Sequence, residues 1–210
     1  MILSASILSS EEKGINILKK FNNTNVDYIH LDVMDGKFVN NKAFQMSEIK
    51  KINDISLKSL DVHLMVKNPE KYIQDLAMLN VSCITFHYEP VKDINNLIEY
   101  IKSFGIKVGI AINPETNINN LVPYLDKISQ VLIMGVHPGE SGQAFIDDTF
   151  EKVKNLKQKI INNNYKTIIE VDGGVNDTNA LKLKEFGADA IVSASFIQKD
   201  LNNIKYLKEL

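Results

Sequence analysis

No arginine occurs anywhere in this chain of 210 residues, so its 24 basic side chains are all lysines. An anionic ligand must be held by ammonium groups or backbone amides, without the planar bidentate fork of a guanidinium. Tryptophan is also absent, and a single cysteine, Cys83, excludes an internal disulfide framework and any multi-cysteine zinc site. Cys83 falls in an apolar run and reads as a small buried hydrophobe. No apolar run approaches the ~18 residues of a membrane span. The opening MILSASILSSEEKG meets acidic residues before any basic stretch, unlike a secretory leader. Neither sign of charge dominates: 24 lysines against 26 acidic residues give a net charge of −2. That leaves no basic field for nucleic acid or an anionic membrane surface. The expectation is a soluble, cytoplasmic protein with neither of those partners.

What is present is a rhythm. With 44% hydrophobic residues and no linker or low-complexity tract, the chain reads as one domain over residues 1–210. Short runs rich in Ile and Val recur at Ile2–Ile7, Tyr28–Met34, Leu60–Val66, Ser82–Tyr88, Val108–Asn113, Val131–Val136, Thr167–Val171 and Ala190–Ser195. Runs of this kind suit strands buried on both faces. Between them the spacing predicts helices over Glu11–Phe21, Glu70–Leu79, Ile94–Phe104, Asp148–Ile161 and Asn179–Phe186, with fainter patterns at Ser47–Ile52, Ile118–Leu125 and Leu201–Leu210. Eight strands alternating with eight helices is the pattern of a compact (β/α)8 barrel, in which chemistry sits where strands end. A doubly wound open sheet is the rival. The first strand is not followed by G-x-G-x-x-G, which argues against its dinucleotide-binding version.

Ionisable residues inside buried strands require a reason. The second run reads Tyr28-Ile29-His30-Leu31-Asp32-Val33-Met34, and His30 and Asp32, two apart, share a face. The third reads Leu60-Asp61-Val62-His63-Leu64-Met65, and the seventh ends Ile169-Glu170-Val171-Asp172-Gly173-Gly174. If the inward faces converge, two imidazoles and two carboxylates meet at the barrel mouth. Such a mixed nitrogen and oxygen shell suits one divalent ion, Zn²⁺, Fe²⁺, Mn²⁺ or Co²⁺, better than Ca²⁺ or Mg²⁺. His87, with Glu89 beyond it, follows the same rule on the fourth run, as outer support, a substrate contact or a rim histidine. Met34, Met65 and Met134 fall near strand ends, as core filling or as an apolar cover over a reacting centre. The turns Gly139-Glu140-Ser141-Gly142 and Gly173-Gly174, with Ala194-Ser195, could form a backbone phosphate site, which needs no arginine.

These residues resemble the ribulose-phosphate 3-epimerase family. The likeness runs through Ser6-Ile7-Leu8, His30-Leu31-Asp32-Val33-Met34-Asp35-Gly36, His63-Leu64-Met65-Val66, Asn113-Pro114, Pro138-Gly139 with Gly142-Gln143, and Val171-Asp172-Gly173-Gly174-Val175. The resemblance implies a barrel that interconverts D-ribulose 5-phosphate and D-xylulose 5-phosphate. It implies metal ligation by His30, Asp32, His63 and Asp172, with Asp32 and Asp172 also the acid/base pair. Ser6 and His63 would touch the sugar. The phosphate would lie on backbone at Gly139, Glu140, Ser141, Gly142, Gly173, Gly174, Ala194 and Ser195. A homo-oligomer is implied as well. The chain departs from the family at Lys37, Asn40, Gly135, His137, Glu140, Ser141 and Ala194, all outside the four ligands. The alternatives are the same epimerisation on D-allulose 6-phosphate, or a non-catalytic phosphosugar-binding barrel. A phosphosugar lyase or decarboxylase would call for a lysine beside His30 or Asp172, and none stands there.

Overall fold

The computed structural model describes residues 1–8, 14–140 and 142–210. Eight parallel strands form a closed barrel: β1 (Ile2–Ser6), β2 (Tyr28–Asp35), β4 (Leu60–Met65), β5 (Val81–His87), β6 (Lys107–Ile112), β7 (Gln130–Met134), β8 (Ile168–Asp172) and β9 (Ala190–Ser193). The order around it is β1-β9-β8-β7-β6-β5-β4-β2, and the pairing of β1 with β2 closes the circle. This is the (β/α)8 barrel that the alternation predicts; the open-sheet rival is excluded by the closing pair. One strand lies outside the pattern. The two residues of β3 (Lys42–Ala43) pair antiparallel with Met34 and Asp35, extending β2 above the barrel rim.

Helices cover the outside: α1 (Ile15–Phe21), α2 (Met46–Ile55), α3 (Glu70–Leu76), α4 (Ile94–Lys102), α5 (Asp148–Asn162), α6 (Ala180–Phe186), α7 (Ser195–Lys199) and α8 (Asn202–Glu209). Their local chemistry accounts for their ends. Asp93 accepts the Asn96 N–H at 3.0 Å to start α4, and α6 stops at Gly187 with φ +109°. The predicted helix at Ile118–Leu125 is instead a 3-10 segment, Ile118–Tyr124. Pro123 inside it has no N–H to give an α-helical ladder. The first three residues of the predicted helix Glu11–Phe21 lie outside the described residues.

The main core lies between barrel and helices, where Leu18, Phe21, Ile49, Ile73, Ile98, Leu156, Leu183 and Leu207 are buried against strand residues such as Leu31, Ile84 and Val171. A second, small apolar cluster of Ala111, Leu132, Met134, Val136 and Val192 stands apart from it. Three of its members, Met134, Val136 and Val192, line the cavity at the carboxyl end of the strands. Cys83 is buried, and burial, with the Asp61 charge, pushes its thiol well above the usual range. Among the described residues no helix is long and apolar enough to cross a membrane.

Candidate active site

Strand register builds the site. In the β2–β4 pair, His30 stands beside Asp61 and Asp32 beside His63, so each imidazole meets a carboxylate on the neighbouring strand. Asp172 arrives from the end of β8, on the far side of β9 and β1. The result is a ring of four donors. His30 Nε2 lies 3.3 Å from Asp32 Oδ1 and 3.6 Å from Asp172 Oδ2. His63 Nδ1 lies 3.2 Å from Asp32 Oδ1 and 3.5 Å from Asp172 Oδ2. One atom from each residue falls within 4.8 Å of all the others.

These spacings allow a test of fit to a metal ion. Nitrogen and oxygen bonds to zinc of about 2.0–2.2 Å imply tetrahedral edges of about 3.3–3.6 Å. The four distances match that range to within about 0.1 Å. His30 Nε2 is buried without a hydrogen-bond partner, although it faces two carboxylates. A buried ring nitrogen without a hydrogen-bond partner, facing a carboxylate pair, is what a ligand nitrogen looks like without its ion. The residues fit the group.

Electrostatics agree. Burial disfavours a charged imidazole, yet Asp32 and Asp61 override it and hold His30 well above its ordinary pKa. Asp172 and Asp32 raise His63 against the same penalty. Burial alone would raise Asp32, but His30 and His63 hold it far below the usual carboxylate range. The cluster therefore demands positive charge at its centre, and a dication supplies it.

Beneath the donors lies a buried polar layer. Asp61 Oδ2 meets His30 Nδ1 at 2.7 Å and accepts from Ser4 Oγ at 3.1 Å. Gln130 Nε2 donates to Glu170 Oε2 at 2.7 Å. Burial, together with the Asp61 charge, pushes Glu170 well above the usual carboxylate range, towards the neutral acid. His30, Asp61 and Glu170 also offer donors within 4.8 Å of one another, but there His30 Nδ1 is already committed to Asp61. The sequence reading gave Asp61, Glu170 and Ser4 no role. The signal was available: each stands two residues before a site residue, on the same strand face.

Above the donors, the cavity at the strand ends gathers the other expected residues. Asp32, Asp172, Met34, Met65 and Met134 form its floor, with Ser6 beside them. Ser6 Oγ donates to Asp32 Oδ2 at 3.1 Å. Gly139, Glu140 and Gly142 line one wall, and Gly173, Gly174, Ala194 and Ser195 another. Glu140 is exposed. Ser141 lies outside the described residues. Gly173 is required by its backbone: φ is +107°, and a Cβ would lie 2.5 Å from Val136 Cγ2. Gly135, one of the departures from the family pattern, sits where a Cβ would meet Gly173 O at 2.6 Å and the Phe145 ring at 2.7 Å. The Phe145 ring takes up that space here. Of the loop residues, His137 is exposed and pairs with Glu115 at 2.6 Å. Phe38 packs its ring against His87 at a tilt, and Asn41 Nδ2 donates to Gly139 O at 2.9 Å, tying the loop after β2 to the loop after β7.

Fold and site together define a (β/α)8 barrel whose mouth carries a buried His/Asp group able to hold a metal ion. The chain matches the model of the ribulose-phosphate 3 epimerase family over residues 2–198. It is 37% identical over 198 residues to a ribulose-phosphate 3-epimerase of Helicobacter pylori, covering 94% of this chain and 90% of that one. It is 38% identical over 196 residues to that of Methanocaldococcus jannaschii, covering 93% and 83%. The chain belongs to the ribulose-phosphate 3-epimerase family. Among solved structures, the N-(5'-phosphoribosyl)anthranilate isomerase of Pyrococcus furiosus superposes with a TM-score of 0.65 at 16% identity, covering 100% of both chains. That likeness is one of fold.

Proposed function

We propose that this chain is a metal-dependent epimerase that interconverts D-ribulose 5-phosphate and D-xylulose 5-phosphate by two-base proton transfer at C3. The observation that carries the reading is the ring of four donors, whose neighbouring nitrogen and oxygen atoms lie 3.2–3.6 Å apart. Family membership supplies the substrate class.

Inverting C3 of a 2-ketose requires removing a proton beside a carbonyl and returning one to the opposite face. Asp32 and Asp172 come from strands separated by β9 and β1, which suits a pair working on the two faces of a flat intermediate. One, ionised, takes the C3 proton, and the electrons of that bond move into a C2–C3 double bond and onto the C2 oxygen. The other, protonated, delivers its proton to C3 from the far face, and the C2 carbonyl reforms. The two aspartates end with their protonation exchanged. His30, Asp32, His63 and Asp172 would hold a divalent ion, Zn²⁺, Fe²⁺, Mn²⁺ or Co²⁺, which when bound would supply positive charge to offset the negative charge developing on the substrate oxygens. Ser6 orients Asp32 through its hydroxyl and lies within reach of the sugar. Met34, Met65 and Met134 keep water from the reacting face. The phosphate rests on backbone amides of Gly139–Gly142, Gly173, Gly174, Ala194 and Ser195, which suits a chain without arginine. The same reading includes a cytoplasmic, homo-oligomeric enzyme consisting of the single barrel.

The test is incubation with D-ribulose 5-phosphate in deuterated water. Xylulose 5-phosphate should appear with deuterium at C3. Chelation should stop the reaction, and added Zn²⁺, Fe²⁺ or Mn²⁺ should restore it. Failure of metal-replete protein to form xylulose 5-phosphate sinks the proposal; D-allulose 6-phosphate turned over faster would move the assignment to the six-carbon sugar.

A further inference from the structure

His63 and His30 present opposite ring nitrogens to the same centre: His63 uses Nδ1, His30 uses Nε2. A neutral imidazole carries one proton, so each ring needs a partner that places it on the other nitrogen. For His30 that partner is Asp61, at 2.7 Å from Nδ1. Among the described residues no carboxylate stands behind His63. Its Nε2 instead lies 2.9 Å from Nε2 of His87, a fully buried ring stacked on it at a centroid distance of 5.0 Å. His87 Nδ1 in turn lies 3.1 Å from Glu89 Oε2.

The direction of every hydrogen bond in this line follows from its end. An ionised carboxylate only accepts, so His87 Nδ1 carries a proton and its Nε2 is bare. The His63 Nε2 must then be the donor, and its Nδ1 keeps a lone pair towards Asp32 and Asp172. Glu89 is itself fixed: Oε1 accepts from Asn113 N at 2.8 Å and from Thr116 Oγ1 at 2.5 Å. The Lys152 ammonium clamps that segment through the carbonyls of Asn113, Pro114 and Thr116.

We propose that His87 and Glu89 are positioning residues that lock His63 in its Nε2–H tautomer, so that Nδ1 is committed as a metal ligand. The inference rests on the metal-dependent reading above. It assigns His87 to the support of His63 and takes it out of contact with substrate.

The experiment measures Zn²⁺ affinity, by competition with a chromophoric chelator, for stripped parent protein and three variants. His87→Phe keeps an aromatic ring packed between His63 and Phe38 but removes the acceptor; a loss of about 10–100-fold in affinity is expected. Glu89→Gln can donate to His87 Nδ1, which reverses the line and turns an N–H of His63 towards the ion; a loss in the same range is expected. His87→Gln retains an acceptor near the same place and should remain within a few-fold of the parent. A second readout needs no variant: in zinc-loaded, ¹⁵N-histidine-labelled parent, Nε2 of His63 should carry the proton and Nδ1 should not. A folded His87→Phe that binds Zn²⁺ as tightly as parent overturns the proposal, as does a zinc-loaded His63 protonated on Nδ1. A parent that turns over D-ribulose 5-phosphate while those results fail shows that only the positioning role is wrong. A parent that binds none of Zn²⁺, Fe²⁺, Mn²⁺ and Co²⁺ overturns both readings.

Discussion

On the proposed reading, Asp32 and Asp172 would each serve two demands with one side chain, as charge for an ion and as base for a proton. Replacing either by asparagine keeps the shape but removes both. Turnover should fall by at least the roughly 10²–10⁴-fold typical of losing a general acid or base. Zn²⁺ affinity should fall with it, and steady-state rates beside chelator titration would separate the two losses. Glu89 offers a test by pH. Burial works against its charge, but the bonds from His87, Asn113 and Thr116 hold its pKa at about 2 against an ordinary 4.5. A depressed carboxylate contributes stability in full above its unfolded pKa and loses it as pH falls through the folded one. Between about pH 4.5 and 2 the parent should therefore shed a contribution that Glu89→Gln never has, visible as converging urea midpoints in acid. Gly173→Ala places a methyl against Val136 at φ +107°, and about 1–3 kcal/mol of destabilisation is expected from denaturant curves. At this scale the strand alternation of His30 with Asp32 was plain in the sequence. Among the outer residues, His87 was singled out with its role left open, whereas Asp61 was not, because a buried aspartate reads as an ordinary core polar group until its partner strand is known.

Among the elements, the apolar runs marked the eight barrel strands to within a few residues, since strands buried on both faces have little choice but Ile, Val and Leu. The helices were legible where an amphipathic stripe was long, as at α5, and failed where local chemistry outweighed spacing, as at the 3-10 segment with Pro123. Two short elements left no periodic signal: β3, with two residues, and α7, with five. Asp35, at the end of β2, shows how much of the mouth depends on one carboxylate. It accepts from the Lys37 and Phe38 N–H groups at 2.8 and 3.1 Å and from Lys67 N at 3.0 Å, pinning two loops at once. Asparagine can accept on one atom only. Asp35→Asn should speed hydrogen exchange at Lys37, Phe38 or Lys67 while the barrel strands keep their protection.

For the whole molecule, an ion bound only by the folded state adds stability by mass action. At free metal about 100-fold above its dissociation constant the gain is about 2.7 kcal/mol. For a chain of this length that corresponds to roughly 5–10 °C in Tm. Calorimetry with and without chelator should show the shift, and His30→Ala should abolish it. The circular sheet adds a constraint on timing. β1 comes from the beginning of the chain and β9 from near its end, and the hoop is complete only when β1 slots between β9 and β2. Until that seam zips, Asp172 is not held opposite His30 and His63. Cobalt uptake should thus lag behind collapse during refolding, its visible absorption growing in with the slowest phase, so that colour becomes a clock for the last stitch of the cylinder.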